Sequence, residues 1–146
     1  MEKNIKKYKK KNKIVELVNQ QRAIIFLSAY ITILLEVSIL FRPIGEIHQI
    51  DLIPFDMPGG TRYIVLYSIA NVLVFIPLGF LVPMIWTKLC KTGDIIVIGF
   101  LSSLLIEISQ LVLQCGVFQT EDMIMNTIGA AIGYRIYKIV IRQRKR

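Results

Sequence analysis

Four apolar segments decide what this chain can fold into. They run over residues 23–40, 63–86, 95–113 and 123–141. Each is close to the ~20 residues that a helix rising ~1.5 Å per residue needs to cross ~30 Å of hydrocarbon. Together they fill most of the 146 residues, and the chain is 54% hydrophobic with a mean hydropathy of +0.57. Too little polar surface is left to cover four such helices in water, which disfavours a soluble bundle. The expected fold is all-α: an integral membrane four-helix transmembrane bundle. Three parts follow: a basic N-terminal arm over 1–22, a four-span domain over 23–141 and a basic tail over 142–146. The first segment follows a long basic arm, exceeds a signal h-region and lacks a small-x-small site before Phe41. It reads as a retained helix.

Charge orients the bundle. Of the 18 Lys and Arg residues, only Arg42 and Arg62 fall in the connections 41–62 and 114–122. The rest lie in the arm, at Lys88 and Lys91 in the loop after the second segment, or from Arg135 onward. The positive-inside rule then puts both termini in the cytoplasm and the connections holding Arg42 and Arg62 outside. The net charge of +8 does not imply nucleic acid. The excess sits in two flanks without base-stacking aromatics or a DNA-binding motif, and attraction to anionic headgroups accounts for it. The arm is expected to be a solvated tail, with residues 14–22 able to form a short interfacial helix.

Two cysteines fall at opposite ends, Cys90 inside and Cys115 outside, too far apart for a disulfide. The single histidine, His48, lies in the first outer connection, and no His/Cys cluster has zinc spacing. Neither a metal nor a cofactor is expected.

Polar residues interrupt the apolar segments at helical spacing. Ser103, Glu107, Gln110 and Gln114 form one stripe on the third. The first carries Ser28, Thr32 and Glu36, the second Asn71, and the fourth follows Asp122 with Asn126. In the assigned orientation Glu36, Asn71, Glu107 and Asn126 fall roughly 5–12 Å below the outer edge. Arg42, Asp51, Arg62 and Asp122 sit just above. A carboxylate at that depth must be protonated, paired or exposed to a watery cavity. An outward-facing polar pocket is therefore expected, built from Glu107, Gln110, Asp122, Asn126, Asn71, Glu36, Arg42, Asp51 and Arg62. For Asn71, Gln110 and Asn126 individually, hydrogen bonding between helices is the plainer role. Pro77 and Gly79 shape the second segment, where a mid-span proline is expected to kink the helix. Gly129 and Gly133 form a GxxxG pair that lets helices approach closely.

Several of these residues also carry a resemblance. The run 71–80 (NVLVFIPLGF), then 107–110 (EISQ) and 122–134 (DMIMNTIGAAIGY), resembles VanZ-like membrane proteins, and 52–55 (LIPF) resembles the loop motif before the second span. The match covers about residues 41–137 in the family's order. It implies a small four-helix protein of the cell envelope, in a family whose founding member is associated with teicoplanin resistance in Gram-positive bacteria. Gly116-Val117-Phe118-Gln119 stands where the family commonly has an Arg–x–Phe–Asp-type run.

Three function classes follow. The pocket binds a lipid-linked cell-wall precursor, a lipoglycopeptide or an envelope protein, among membrane lipids and without nucleic acid. Alternatively Glu107 and Asp122 act as acid and base on a lipid-linked substrate, although no nucleophile, histidine pair or metal set accompanies them. Third, the chain is a small proton-coupled exporter, which the apolar inner half disfavours. Binding without catalysis is the favoured reading.

Overall fold

The computed structural model describes residues 2–45, 47–55, 60–86 and 91–144. Pro58, Gly59, Lys88, Cys90, Lys145 and Arg146 lie outside the described residues. Helix α1 spans Glu2–Leu35 and runs on into a π-helical turn, Glu36–Leu40. Helix α2 spans Gly60–Ile85, α3 spans Thr92–Val112 and α4 spans Thr120–Arg144. Two short strands complete the chain, β1 at Ile47–Asp51 and β2 at Cys115–Gln119.

The helices alternate in direction. Ser68 in the early turns of α2 bonds Glu121 in the first turn of α4, and Glu107 near the end of α3 bonds the residue just before α4. The last turns of α1 and α3 meet there too, through Gln110 and Ser38. One end of the bundle thus gathers the ends of α1 and α3, the starts of α2 and α4, and both strands. At the other end Gln20 Nε2 donates to the carbonyl of Ile85 at 2.8 Å.

Among the described residues, three helical stretches are long and apolar enough to cross a membrane: Leu17–Leu40, Arg62–Ile85 and Thr92–Val112. Helix α4 is not among them. Asp122 and Asn126 lower its hydropathy near its start, and Arg135 and Lys138 lower it towards its end. The first two are buried against α2 and α3, whereas Arg135 and Lys138 are exposed. Its remaining open surface carries Ile124, Ile128, Ile132 and Ile136, an exposed apolar stripe at i+4 spacing.

Glycine explains how α4 enters the centre. A Cβ at Gly129 would meet the carbonyl oxygen of Val72, one at Gly133 that of Ile76, and one at Gly79 that of Ala130. The backbones of α2 and α4 therefore touch, as small-residue stripes permit. Below the strand end the core is wholly apolar but for a tyrosine: Ala23, Leu27, Phe75, Leu78, Val82, Ile85, Ile95, Ala130 and Tyr134. Helix α1 leans mainly on α2 and leaves Ile24, Ile25, Phe26 and Ile33 exposed, as a lipid-facing helix does.

The structure adds to the sequence expectations in three places. The arm is helical, forming the first turns of α1 continuously from Glu2; long unbranched lysines are good helix formers once an apolar helix follows. Helix α2 contains both Pro77 and Pro83. The two outer connections are not separate loops. Strands β1 and β2 pair in parallel, Ile47 with Cys115 through Asp51 with Gln119, with α2 and α3 forming the crossover between them.

Candidate functional site

Four carboxylates at the strand end account for its architecture, and the chain folds around them. Glu107 is 1% exposed on the inner face of α3. Its Oε2 accepts the backbone N–H of Gln119 at 2.8 Å, and the carboxyl group of Asp122 lies beside it. Asp122, in the first turn of α4, also accepts from Asn71 Nδ2 at 2.7 Å and from the Tyr67 hydroxyl at 3.1 Å. The Tyr67 hydroxyl lies 3.5 Å from Gln119 Oε1, with the Arg42 guanidinium beside it. Glu107, Asp122, Asn71 and Tyr67 thus cluster across α2, α3 and α4, with Arg42 brought in from the connection after α1.

Beside it Glu121, 2% exposed, is held by the Ser68 hydroxyl and by the backbone N–H of Phe55 at 3.1 Å. Both acids sit in the first turn of α4, where unpaired backbone N–H groups and the helix dipole favour negative charge. The fourth acid, Asp51, ends β1 and caps the N–H of Ile53 through Oδ1 at 3.1 Å.

One turn deeper lies a second layer. Asn126 Nδ2 donates to Ser103 Oγ at 2.8 Å, with both residues buried. Asn126 Oδ1 has no partner among the described residues. Gln110 serves a different end. The π-helical turn leaves the Ser38 carbonyl unpaired along its own helix, and Gln110 Nε2 donates to it at 2.9 Å. Gln114, the last member of the stripe, leaves the helix altogether. It adopts φ 54° and stands exposed, because α3 stops at Val112 in a left-handed turn. The neighbouring carbonyl of Leu113 accepts from Gly45, which ties the two outer connections together.

The structure therefore brings together Glu107, Asp122, Asn71 and Arg42, with Gln110, Asn126 and Asp51 around them. It does not bring in Glu36, which opens the π-helical turn outside the hydrogen-bonded cluster, nor Arg62, which is exposed on the first turn of α2. Tyr67, Ser68 and Glu121 belong to the site although sequence reasoning passed them by, and Gln119, noted there only as a departure from the family pattern, joins them. Tyr67 had a signal: it lies one turn before Asn71 on the same helical face. Glu121 had only its place beside Asp122.

Gly116 marks the departure noted before Asp122. A Cβ there would lie 2.9 Å from Nη1 of Arg42 and 3.2 Å from the side chain of Gln110. The guanidinium of Arg42 thus rests on β2 where a side chain of residue 116 would begin.

Above the network opens a cavity of about 660 Å³, lined by Arg42, Gln49, Asp51, Tyr63, Tyr67 and Gln119, with Ile50 and Val117. That is within the range of small-molecule sites, ~300–1,000 Å³. Tyr63 and Tyr67 stack along one wall, with ring centroids 6.1 Å apart and planes at 15°. Cys115 is a buried free thiol beneath the cavity's strand wall. Among the described residues no group of three or more His, Cys, Asp and Glu side chains is placed to hold a metal ion.

No curated protein and no solved structure matches this chain. The family model for VanZ/LLP1 matches residues 22–141, which takes in α2, α3, the later part of α1, α4 up to residue 141, both strands and every acid of the site. The chain belongs to the VanZ/LLP1 family, and it is a VanZ-like membrane protein.

Proposed function

We propose that this protein is a multi-pass protein of the cell membrane with four spans and both termini in the cytoplasm. Its polar cavity opens on the outer face and binds an envelope component, and that binding underlies low-level protection against teicoplanin-type glycopeptides. The observation that carries this reading is the cavity itself. It is about 660 Å³, stands at the strand end and is walled by Arg42, Asp51, Tyr67 and Gln119. The strand end is the one that the positive-inside rule assigns to the outside. The stripe of Ile124, Ile128, Ile132 and Ile136 supports a membrane position for α4, whose polar residues are turned inward.

Glu107 and Asp122 support binding over catalysis. Their oxygens accept from Gln119, Asn71 and Tyr67, so they hold the cavity floor rather than reach into it. An exporter would need a polar path to the opposite face. Between the Asn126–Ser103 pair and the far end stand Phe75, Leu78, Val82, Ile85 and Ile95, all buried.

The test is susceptibility to teicoplanin in cells lacking the gene and in the same cells carrying wild-type protein or Asp51→Asn, with membrane abundance measured in parallel. Protection by the wild type and its loss in the variant at equal abundance is the expected result. Equal susceptibility with and without the gene overturns the resistance reading.

A further inference from the structure

The polar cavity has a neighbour that explains how a ligand would reach it. A second, mostly apolar groove of about 450 Å³ runs down between α1 and α2, lined by Ile33, Leu34, Val37, Ala70, Leu73 and Val74 among others. Arg42 and Tyr67 line both hollows. The groove faces outward from the bundle, since Ile33, Val37, Leu73 and Val74 are all exposed. In a bilayer that surface meets lipid chains, whereas the cavity above it meets water and headgroups.

We propose that the two hollows form one site for an amphiphile made of a lipid chain, a phosphate and a sugar. This deepens the binding function proposed above and rests on it. The chain lies in the α1–α2 groove, the phosphate meets Arg42 at the junction, and the sugar fills the polar cavity.

Each part matches its surroundings. Among the described residues, Arg42 is the cation that lines the cavity; its guanidinium lies beside the neutral Tyr67 hydroxyl, with the buried Glu107 carboxyl near enough to attract it. A guanidinium offers five donors in a planar fork suited to phosphate oxygens. Gly116 keeps its place open on β2. Beyond it Gln49 and Gln119 supply amides, Asp51 supplies an acceptor, and the stacked Tyr63–Tyr67 pair supplies a flat wall. Amides both donate to and accept from hydroxyls and a carboxylate accepts from them, which suits a sugar. They suit a bare phosphate less well, because Asp51 would repel a second negative group.

The binding mode also follows from placement. A water-soluble sugar phosphate would use the cavity and leave the groove empty. A plain fatty chain would use the groove and leave the cavity to water. Only a ligand with both parts uses Arg42 and Tyr67 from both sides.

The experiment uses the full chain in phosphatidylcholine nanodiscs with glucosyl-phosphoryl-farnesol carrying a diazirine on its prenyl chain. Every lipid in that disc bears a phosphate, so labelling of the groove already requires preference over ordinary phospholipid. The expected result is crosslinking to peptides containing Val37 and Val74. Unlabelled glucosyl-phosphoryl-farnesol should compete at roughly tenfold lower concentration than farnesyl phosphate, and farnesol should not compete. Arg42→Gln should cut labelling by about tenfold or more, as loss of a charge-assisted hydrogen bond does. Ala70→Trp should block the groove while leaving every hydrogen bond of the polar network in place, and so controls for misfolding of the arginine variant.

Three results overturn the inference. One is labelling that spreads equally to Ile128 and Ile132 of α4, which is the mark of surrounding lipid. Another is competition by farnesol or farnesyl phosphate equal to that of the sugar-bearing lipid. The third is labelling of both variants at the wild-type level. Loss of teicoplanin protection in Asp51→Asn without specific labelling overturns this inference alone. Labelling as expected, in a protein whose gene does not alter susceptibility, overturns the resistance reading alone.

Discussion

The carboxylate of Glu107 accepts the backbone N–H of Gln119 at 2.8 Å and lies beside the carboxyl group of Asp122, three residues further on. One buried acid on α3 therefore meets both the last residue of β2 and the first turn of α4. This explains how an acid is tolerated on an apolar helix: it has a polar partner, and that partner belongs to the floor of the cavity.

Glu107→Gln should fold. Its amide oxygen can accept from Gln119 and its amide nitrogen can donate to an ionised Asp122, so the variant is expected at near wild-type abundance. Function should fall nonetheless, because an amide replaces the buried acid beside Asp122. Glu107→Leu leaves the Gln119 N–H and Asp122 short of partners, at about 1–3 kcal/mol for each group. Thermal unfolding of detergent-solubilised protein, scored with both variants, checks this; equal stability of the two would contradict the geometry.

The α2–α4 contact should be the least forgiving part of the molecule. Gly133→Val drives side-chain atoms into the carbonyl of Ile76 and Gly129→Val into that of Val72. Overpacking of this kind costs about 1–3 kcal/mol or more. Both variants are expected to lose folded protein in size-exclusion profiles, whereas Gly93→Ala, with open space around it, should not.

Gly116→Ala should move Arg42 rather than unfold the chain. The tip of a flexible arginine can yield, while Gln110 is anchored to Ser38. Saturation of the amphiphile crosslink should weaken several-fold at unchanged thermal stability. An unaltered crosslink would show that the guanidinium does not need its bed on β2.

Removing the deeper pair should cost little. Asn126→Ala breaks one interhelical hydrogen bond to Ser103, worth about 0.6–2 kcal/mol in a membrane. It also deletes an oxygen that has no partner among the described residues. The variant should stay folded and keep crosslinking at wild-type level, read by the same nanodisc assay. A collapse of the fold would assign this layer a larger share of the helix packing.

Orientation is read by cysteine labelling in a background with Cys90 and Cys115 replaced by serine. A cysteine at exposed Ile50 should react with an impermeant maleimide in intact cells, and one at exposed Lys91 only after lysis. The reverse pattern would invert the bundle and place the cavity in the cytoplasm.

Residues 23–40, 63–86, 95–113 and 123–141 announce helices by length and apolarity alone, since crossing hydrocarbon leaves the backbone few other ways to satisfy its hydrogen bonds. The helices duly appear, and three of the four meet the length and apolarity of a span. Glu107, Asn71 and Asp122 announce themselves in the same way: a polar group in an apolar segment is costly enough to be visible in one sequence. Neither argument can see a partner far along the chain. The pairing of β1 with β2 joins residues more than sixty positions apart, and short strands flanked by turns carry little periodicity of their own. Tyr67, Ser68 and Gln119 look ordinary until α4 is laid between α2 and α3. Glu36 has the same chemistry and depth as Glu107, yet the π-helical turn leaves it outside the network. Local chemistry thus determined that this protein is a helical membrane bundle with buried acids near one end. Only tertiary packing, through the bare backbone at Gly129 and Gly133, decided which of those acids meet and that a polar cavity opens above them.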